Sequence, residues 1–288
     1  MNDPPPTPPW AALAAASLRQ VPRTPWSIDG QTVGSVADAH LGALARWPQR
    51  FAQRAGVCEL TVPAAERDAA FAEMHAVLHA EGLIRAWRNE TYAIVAAPGA
   101  PPLALIERAA ARFWGTLTFG AHCNGYVADT QGRPTHVWIA RRSWHKPTDP
   151  GRLDNLVGGG VPHGQSPFEA LVREGFEEAG LDAATMRRAT PGSVIALACD
   201  IAEGFMHEHL HAFDLRLPED IAPANQDGEV AELHRLPVAE AIARAAAGEM
   251  TVDATLVTLD FALRHHLLPT AQAEALERAL AALRVAPR

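Results

Sequence analysis

From Trp10 onward, apolar positions recur in short stretches that switch between a helical period of 3.6 and a strand period of 2, which predicts an α+β chain. An Ala-rich helix is expected to about Gln20, two short strands should meet at Asp29-Gly30, a pair suited to a hairpin turn, and a helix should begin near Asp38. A strand over 57–62 leads into a long helix over 63–82, in which Phe71, Met74, Val77 and Leu78 share one face and Gly82 is placed to end the helix. A strand over 91–96, a Pro-Gly-Ala-Pro-Pro break over 98–102 and a helix over 103–113 complete this half, whose boundary falls near Gly115.

Strand character then dominates. Residues 116–128 and 136–141 are rich in β-formers and flank a turn composition at 129–132, and a loop rich in Gly, Pro and Asp runs to Gly164. One helix follows, then strands near 193–198 and 207–217, and two Ala-rich helices over 238–247 and 269–283. Five prolines in the first nine residues favour an extended tail. The expected organisation is a disordered tail over 1–9, a smaller α+β domain over 10–114 and a second α/β domain over 115–288, with no internal repeat.

Composition narrows the function classes. A chain of 288 residues with 48% hydrophobic and 20% charged residues has too much apolar content for bulk disorder. A formal charge of −8 opposes phosphate neutralisation, so no nucleic-acid partner is expected, although a local basic pocket survives that reasoning. No window reaches the roughly 18 apolar residues of a membrane span, and no basic stretch precedes an apolar one at the N-terminus, so no membrane partner is expected. Cys58, Cys123 and Cys199 are odd in number and far apart, which fits neither a disulfide framework nor a CxxC zinc site and suggests a reducing, cytoplasmic setting.

The chemistry concentrates in residues 158–182, GGGVPHGQSPFEALVREGFEEAGLD. Ser166 and Glu169 make a capping box, Pro167 occupies the first helical position, and Gly180 is placed as a C-cap. Glu174, Glu177 and Glu178 then crowd one helical face, where like charges oppose the helix by a few tenths of a kcal/mol per pair. Gly175 adds a further penalty of about 1 kcal/mol relative to alanine. Alone, such a face reads as a solvated one. The preceding Gly158, Gly159, Gly160 and Gly164 change that reading, because they let backbone approach a metal or a phosphate closely. A hard divalent cation, above all Mg²⁺ or else Mn²⁺, suits these carboxylates, and Arg173 can pair with Glu177 or orient the neighbouring acids.

This segment resembles the Nudix box, G-x5-E-x7-R-E-U-x-E-E-x-G-U with U a bulky apolar residue. Gly159, Arg173, Glu174, Glu177, Glu178, Gly180 and Leu181 match, whereas Gln165 stands in place of the first glutamate and Gly175 in place of an apolar residue. The resemblance implies an α/β/α sandwich around a mixed sheet and hydrolysis of a diphosphate linked to another moiety. It implies Glu177 and Glu178 as metal ligands, with the carbonyl of Gly158 or Gly159 completing the shell. Glu174 would bind a second metal or activate water, and Arg173 would hold Glu174 in place; Gln165 is expected to hydrogen-bond Arg173. The flanks, Ala140 to Ser143, Lys146 to Thr148, Pro150 to Asn155 and Asn225 to Val230, together with Ile28 to Gly30 and the region around Trp47, are similar to the thiamine-pyrophosphokinase-related Nudix subgroup with its own N-terminal domain. That similarity implies thiamine diphosphate, or its oxothiamine and oxythiamine analogues, as the small-molecule substrate. ADP-ribose, another nucleoside diphosphate or coenzyme A remain alternatives, as fold and box do not set the substrate. A non-catalytic Nudix-fold regulator usually shows eroded glutamates, and three remain here. The N-terminal domain could complete the pocket or mediate a homodimer.

Other residues are candidates of a second order. Arg141, Arg142 and Lys146 precede the glycine loop and, with Gly158 and Gly160, could bind diphosphate. His207-Glu208-His209-Leu210-His211 satisfies HExxH, but its apolar and histidine positions alternate, so it reads as a strand, on which histidines four apart are about 13 Å from each other and cannot share a zinc. Glu208 then faces away from those histidines; by the resemblance it could reach the metal or act as the base, with Glu174 and Glu229 as the other candidates. Cys123 and Cys199 read as inert core thiols, and Trp138 and Trp144 as core tryptophans.

Overall fold

The computed structural model describes residues 10–285, so the tail expected over 1–9 lies outside the described residues. The N-terminal region runs α1 (Ala11–Ala15), β1 (Arg23–Ile28), β2 (Gln31–Ala37), α2 (Leu41–Leu44), β3 (Phe51–Arg54), β4 (Val57–Leu60), α3 (Arg67–Ala80), β5 (Thr91–Ile94), β6 (Ala104–Glu107) and α4 (Ala110–Trp114). Asp29 and Gly30 both take positive φ, +49° and +72°, as the tight turn between twisted antiparallel strands requires. The sheet order is β2-β1-β4-β3, and α3 lays Phe71, Met74 and Leu78 against it. The core of this region is aromatic: the Trp26 and Trp114 rings lie 5.0 Å apart, the Phe71 ring 5.5 Å from that of Trp114, and the Trp26 indole N–H donates to the Trp114 carbonyl at 2.8 Å.

The expected helix over 103–113 is corrected. Ala104 and Ile106 are buried while Leu105 and Glu107 are half-buried, and this alternation makes β6, the antiparallel partner of β5; only Ala110–Trp114 is helical, ended by Gly115 at φ +58°.

The C-terminal region continues with β7 (Leu117–Ala128), β8 (Pro134–Arg142), β9 (Leu153–Asn155), β10 (Val157–Gly160), α5 (Pro167–Ala179), α6 (Ala183–Met186), β11 (Thr190–Ile201), β12 (Gly204–Arg216), β13 (Val230–Pro237), α7 (Val238–Ala246), α8 (Val252–Arg264) and α9 (Thr270–Ala281). Its sheet is mixed, ordered β11-β12-β7-β8-β13, with β7 and β12 parallel, β10 on β7 and β9 on β8. The period of two separates its faces. Ala121, Cys123, Phe213 and Leu215 pack against Ala170, Leu171 and Ala179 of α5, whereas Leu210 and Ala212 pack against Leu256 and Leu259 of α8 on the other side. The result is an α/β/α sandwich.

Two further differences from the sequence reading place the site. The glycines expected in a loop form β10, paired with Gly120–Cys123 of β7, while β8 pairs with β7 only from Gly125 onward. The sheet therefore forks at β7, and β10 lies in the fork. Neither β13 nor α8 was expected; α8 is buried almost all round, from Ala254 to Ala262, and so lacks the polar stripe by which a surface helix is recognised.

The outer edge of β11 is covered. Its Ala198 and Asp200 N–H groups donate to the carbonyls of Ala16 and Leu18, and farther along Ala196 donates to Leu283 while Val285 donates back to Val194. Among the described residues, no helix is long and apolar enough to cross a membrane.

Candidate active site

The two ends of α5 form as the sequence reading expects: Ser166 Oγ accepts the Glu169 N–H at 3.2 Å, Glu169 Oε2 accepts the Ser166 N–H at 2.8 Å, and Gly180 ends the helix at φ +62°. Leu171, Gly175 and Glu178 follow one another along the face turned to the sheet, which leaves the Glu178 carboxylate only 4% exposed. A Cβ on Gly175 would stand 2.5 Å from the Met186 side chain, so the apolar residue usual at this position of the box has no room.

Four carboxylates and two cations are interlocked around β10. Lys146 Nζ donates to Glu178 Oε1 at 3.2 Å and to Glu229 Oε2 at 2.5 Å; Glu178 Oε2 accepts the Gly158 N–H at 2.8 Å. Arg173 donates to Glu174 Oε1 at 2.8 Å and to Glu177 Oε2 at 2.7 Å. Glu174 Oε1 rests where a side chain on Gly159 would be, 2.4 Å from a Cβ there. Glu174, Glu177, Gly158, Gly159, Arg142 and Lys146 line one cavity of about 120 Å³, which Asp227 and Glu229 also reach. Burial, and then the neighbouring Glu178 charge, push the Glu174 carboxyl up to about 7. Burial also raises the Glu178 carboxyl, against the pull of Lys146 and the Gly158 N–H.

A second cavity of about 130 Å³ lies across Gly158–Gly160 and reaches Arg142, Glu208 and Asp154 together with Arg88, Arg108 and Arg112 of the N-terminal region. Arg142 donates to Asp154 Oδ2 at 2.8 Å. Glu208 accepts from Arg112 at 2.8 Å and from the Thr118 hydroxyl at 2.9 Å; burial works to raise its carboxyl, but Arg112 and Thr118 outweigh it and hold it below the ordinary carboxylate value. Tyr92 and Arg108 crowd the place a Gly160 side chain would take. A larger cavity of about 930 Å³ elsewhere, lined by Phe119, Val161 and Val194 among others, holds no carboxylate.

Several expectations are corrected here. Arg141 lines neither cavity: adjacent strand residues face opposite ways, and Arg141 is spent on Glu232 and the Gly151 carbonyl. Gln165 does not bond Arg173; it lies on the large cavity with its Oε1 buried and unpartnered. Glu208 sits on β12 as the alternation requires, but in the second cavity rather than beside Glu174 and Glu177. Trp144 is 67% exposed and packs on Gly151, while Trp138 is half-buried. Cys123 and Cys199, by contrast, are buried thiols as the sequence reading expects, and burial raises both, Cys199 to about 11.

For a divalent cation, the donor chemistry fits. The carboxylate oxygens of Glu174, Glu177 and Glu178 are hard donors, and Glu174 lies against a cradle that only glycine leaves open. Among the described residues no three such side chains converge as a ready-made metal site, because Arg173 and Lys146 hold the carboxylates in pairs.

Comparison with known proteins agrees with this layout. The NUDIX domain model matches residues 120–256, and a domain of unknown function, DUF4743, matches residues 11–118. Residues 120–256 belong to the Nudix superfamily, and a separate N-terminal domain lies ahead of them. Nudix hydrolase 24, chloroplastic, of Arabidopsis thaliana is 39% identical over 204 residues, 70% of this chain and 55% of that protein. Nudix hydrolase 20, chloroplastic, of the same plant is 41% identical over 202 residues, 69% and 53% respectively. The chain thus spans about half the length of the curated relatives it matches. Among solved structures, that of DR0079 from Deinococcus radiodurans covers 60% of this chain and 98% of its own, at 24% identity and a TM-score of 0.45.

Proposed function

We propose that the protein is a Mg²⁺- or Mn²⁺-dependent hydrolase of small-molecule diphosphates, acting on thiamine diphosphate or an oxidised or toxic analogue to give the monophosphate and orthophosphate. The observation that carries this reading is a single cavity lined by the box acids Glu174 and Glu177, the cations Arg142 and Lys146 and the bare backbone of Gly158 and Gly159. The acids suit a divalent ion and the cations suit phosphate oxygens. Held by Glu174, Glu177 and Glu178, the ion would neutralise diphosphate charge and lower the pKa of the attacking water. Arg173 keeps Glu174 and Glu177 oriented, and the positive charges of Lys146 and Arg142 on the cavity wall offset the negative charge that shifts to the leaving phosphate. We assign Glu174 as the proton acceptor, because it lies against Gly159 in the cavity of the box acids with its carboxyl raised by burial, whereas Arg112 holds Glu208, in the neighbouring cavity, and Lys146 holds Glu229 below the ordinary carboxylate value. Water then adds to one phosphorus, the bridging P–O bond breaks, and the departing oxygen takes up a proton.

The thiamine-type substrate is supported by where the flanking motifs lie. The Gln226 N–H donates to the Glu177 carbonyl, so the 225–230 segment docks on the end of α5 and carries Asp227 and Glu229 to the cavity wall; Thr148 and Asp149 reach the neighbouring cavity.

The test is phosphate release from oxothiamine diphosphate, thiamine diphosphate and ADP-ribose with Mg²⁺ or Mn²⁺. We expect orthophosphate and monophosphate from the thiamine-type compounds, and a loss on the order of 100-fold in Glu177→Gln and Glu178→Gln. Cleavage of ADP-ribose alone would overturn the substrate, and full turnover by Glu178→Gln the ligand assignment.

A further inference from the structure

We infer that the N-terminal domain supplies an anion clamp to the active site, in which Arg88, beside Arg108, binds a phosphate group of the substrate across from Gly158–Gly160. This rests on the diphosphate-hydrolase reading above and adds a binding residue from outside the Nudix domain.

Arg88 and Arg108 each line both cavities, the one with the box acids and the one on the far side of β10. The other cations around β10 are engaged: Lys146 with Glu178 and Glu229, Arg142 with Asp154, Arg112 with Glu208, and Arg108 with Glu90 at 3.1 Å. Arg88 differs. Its backbone N–H donates to Glu107 Oε1 at 2.9 Å, but its guanidinium makes no hydrogen bond or ion pair among the described residues. It is half-buried, and burial, with the like charges of Arg108 and Arg142, lowers its affinity for its proton against the opposing pull of Glu229 and Glu90, neither of which it pairs with. A partly desolvated guanidinium beside other cations, with no carboxylate in hydrogen-bond reach, is stabilised when an anion pairs with it, and its planar fork matches two phosphate oxygens at once.

The backbone holds Arg88 in place at a cost. Ala86 and Asn89, on either side of it, adopt left-handed φ of +58° and +59°, and the Trp87 indole N–H braces the turn by donating to Asn89 Oδ1 at 2.9 Å. Non-glycine residues in that region are strained, and such strain persists where the surroundings over-determine it, commonly at ligand sites. Opposite, Gly160 has no side chain, and Tyr92 and Arg108 close on its backbone; the Arg108 guanidinium carbon would lie 3.1 Å from a Cβ there. Arg108 stands 5.7 Å from the centroid of the Tyr92 ring, a cation–π contact that fixes its height over β10. The ligand such a clamp takes is a terminal phosphate or pyrophosphate group, whatever organic moiety follows it.

The test is calorimetric titration of the full chain with inorganic pyrophosphate in EDTA, so that no metal contributes. Arg88→Ala and Arg88→Gln should bind about tenfold or more weakly than wild type, Arg88→Lys should fall between, and Arg46→Ala, a distant exposed arginine of the same domain, should match wild type. In turnover, KM should rise by a similar factor with kcat within about twofold, since the lost contact serves ground state and transition state alike. Should Arg88→Ala lose its melting transition, the Gln variant, which keeps most of the stem, carries the test. Pyrophosphate binding by the folded Arg88 variants equal to wild type would overturn the clamp. The two readings fail separately: Arg88-dependent pyrophosphate binding with no metal-stimulated turnover on any diphosphate removes the hydrolase, whereas turnover with Arg88-independent binding removes the clamp.

Discussion

Gly175 departs from the family pattern for a reason visible in its contacts, since the Met186 side chain fills the volume an apolar residue would need. Gly175→Leu should recover about 1 kcal/mol of helix propensity, yet lose more to overpacking, for a net destabilisation of about 1–2 kcal/mol. Adding Met186→Ala should return most of it, read from urea midpoints of the single and double variants. His75 offers a separate test. Buried at 1% exposure and accepting the Trp114 indole N–H at 2.8 Å, it is pushed down from 6.5 to about 3 by burial. The unfolded chain therefore takes up this proton first as pH falls, so the contribution is whole above about 6.5 and shrinks by up to about 1.4 kcal/mol per pH unit toward about 3. His75→Gln should flatten that part of the stability profile relative to wild type, and an unchanged slope would contradict it. At this scale the box acids were legible in the sequence, because their spacing on one helical face is local. Arg88 was not. It belongs to a short loop whose neighbours carry no charge pattern, and only the tertiary approach of two domains brings it to the glycines.

Among the elements, α5 was readable to the residue at its ends because its stop and start chemistry lies within its own sequence. Ser166→Ala should cost about 1 kcal/mol of stability, measured by thermal denaturation, and weaken activity through the alignment of the box acids. Elements defined by distant partners were harder. β6 exists because Tyr92 and Ile94 lie opposite Ile106 and Ala104, and four residues of Ala, Leu, Ile and Glu suit a helix as well as a strand. β10, made mostly of glycine, has no strand propensity of its own and is held by its ladder to β7. For α8 the obstacle was the opposite one, since a helix buried on every side shows no periodicity to detect.

In the whole molecule, the two domains meet over charged groups that the site also uses. The Arg112–Glu208 pair joins α4 to β12, and both carboxylate and guanidinium are mostly shielded, at 11% and 22% side-chain exposure. Arg112→Met would leave a buried carboxylate with the Thr118 hydroxyl as its remaining hydrogen bond and Arg108 as its remaining nearby cation, a loss of about 3–5 kcal/mol; Arg112→Met/Glu208→Gln should lose less than the single variant. Differential scanning calorimetry checks both. If the double variant were no more stable than the single one, this pair would not be what couples the domains. The outline of two domains was legible from the change of pattern near Gly115, but their mutual contact was not, for no local rule links an arginine on one helix to a glutamate 96 positions away.

The covered margin of β11 has a bearing on association. An open strand margin is a template on which a second chain can continue the sheet, and soluble proteins guard against that by blocking it. Here the blocking is done by main-chain segments on either side of position 197, so a second copy could extend the array only after peeling its own segments away. Continuation of the sheet past β11 is accordingly closed in the folded chain, and destabilising the segments around Ala16 or Leu283 should show first as fibrillar aggregation.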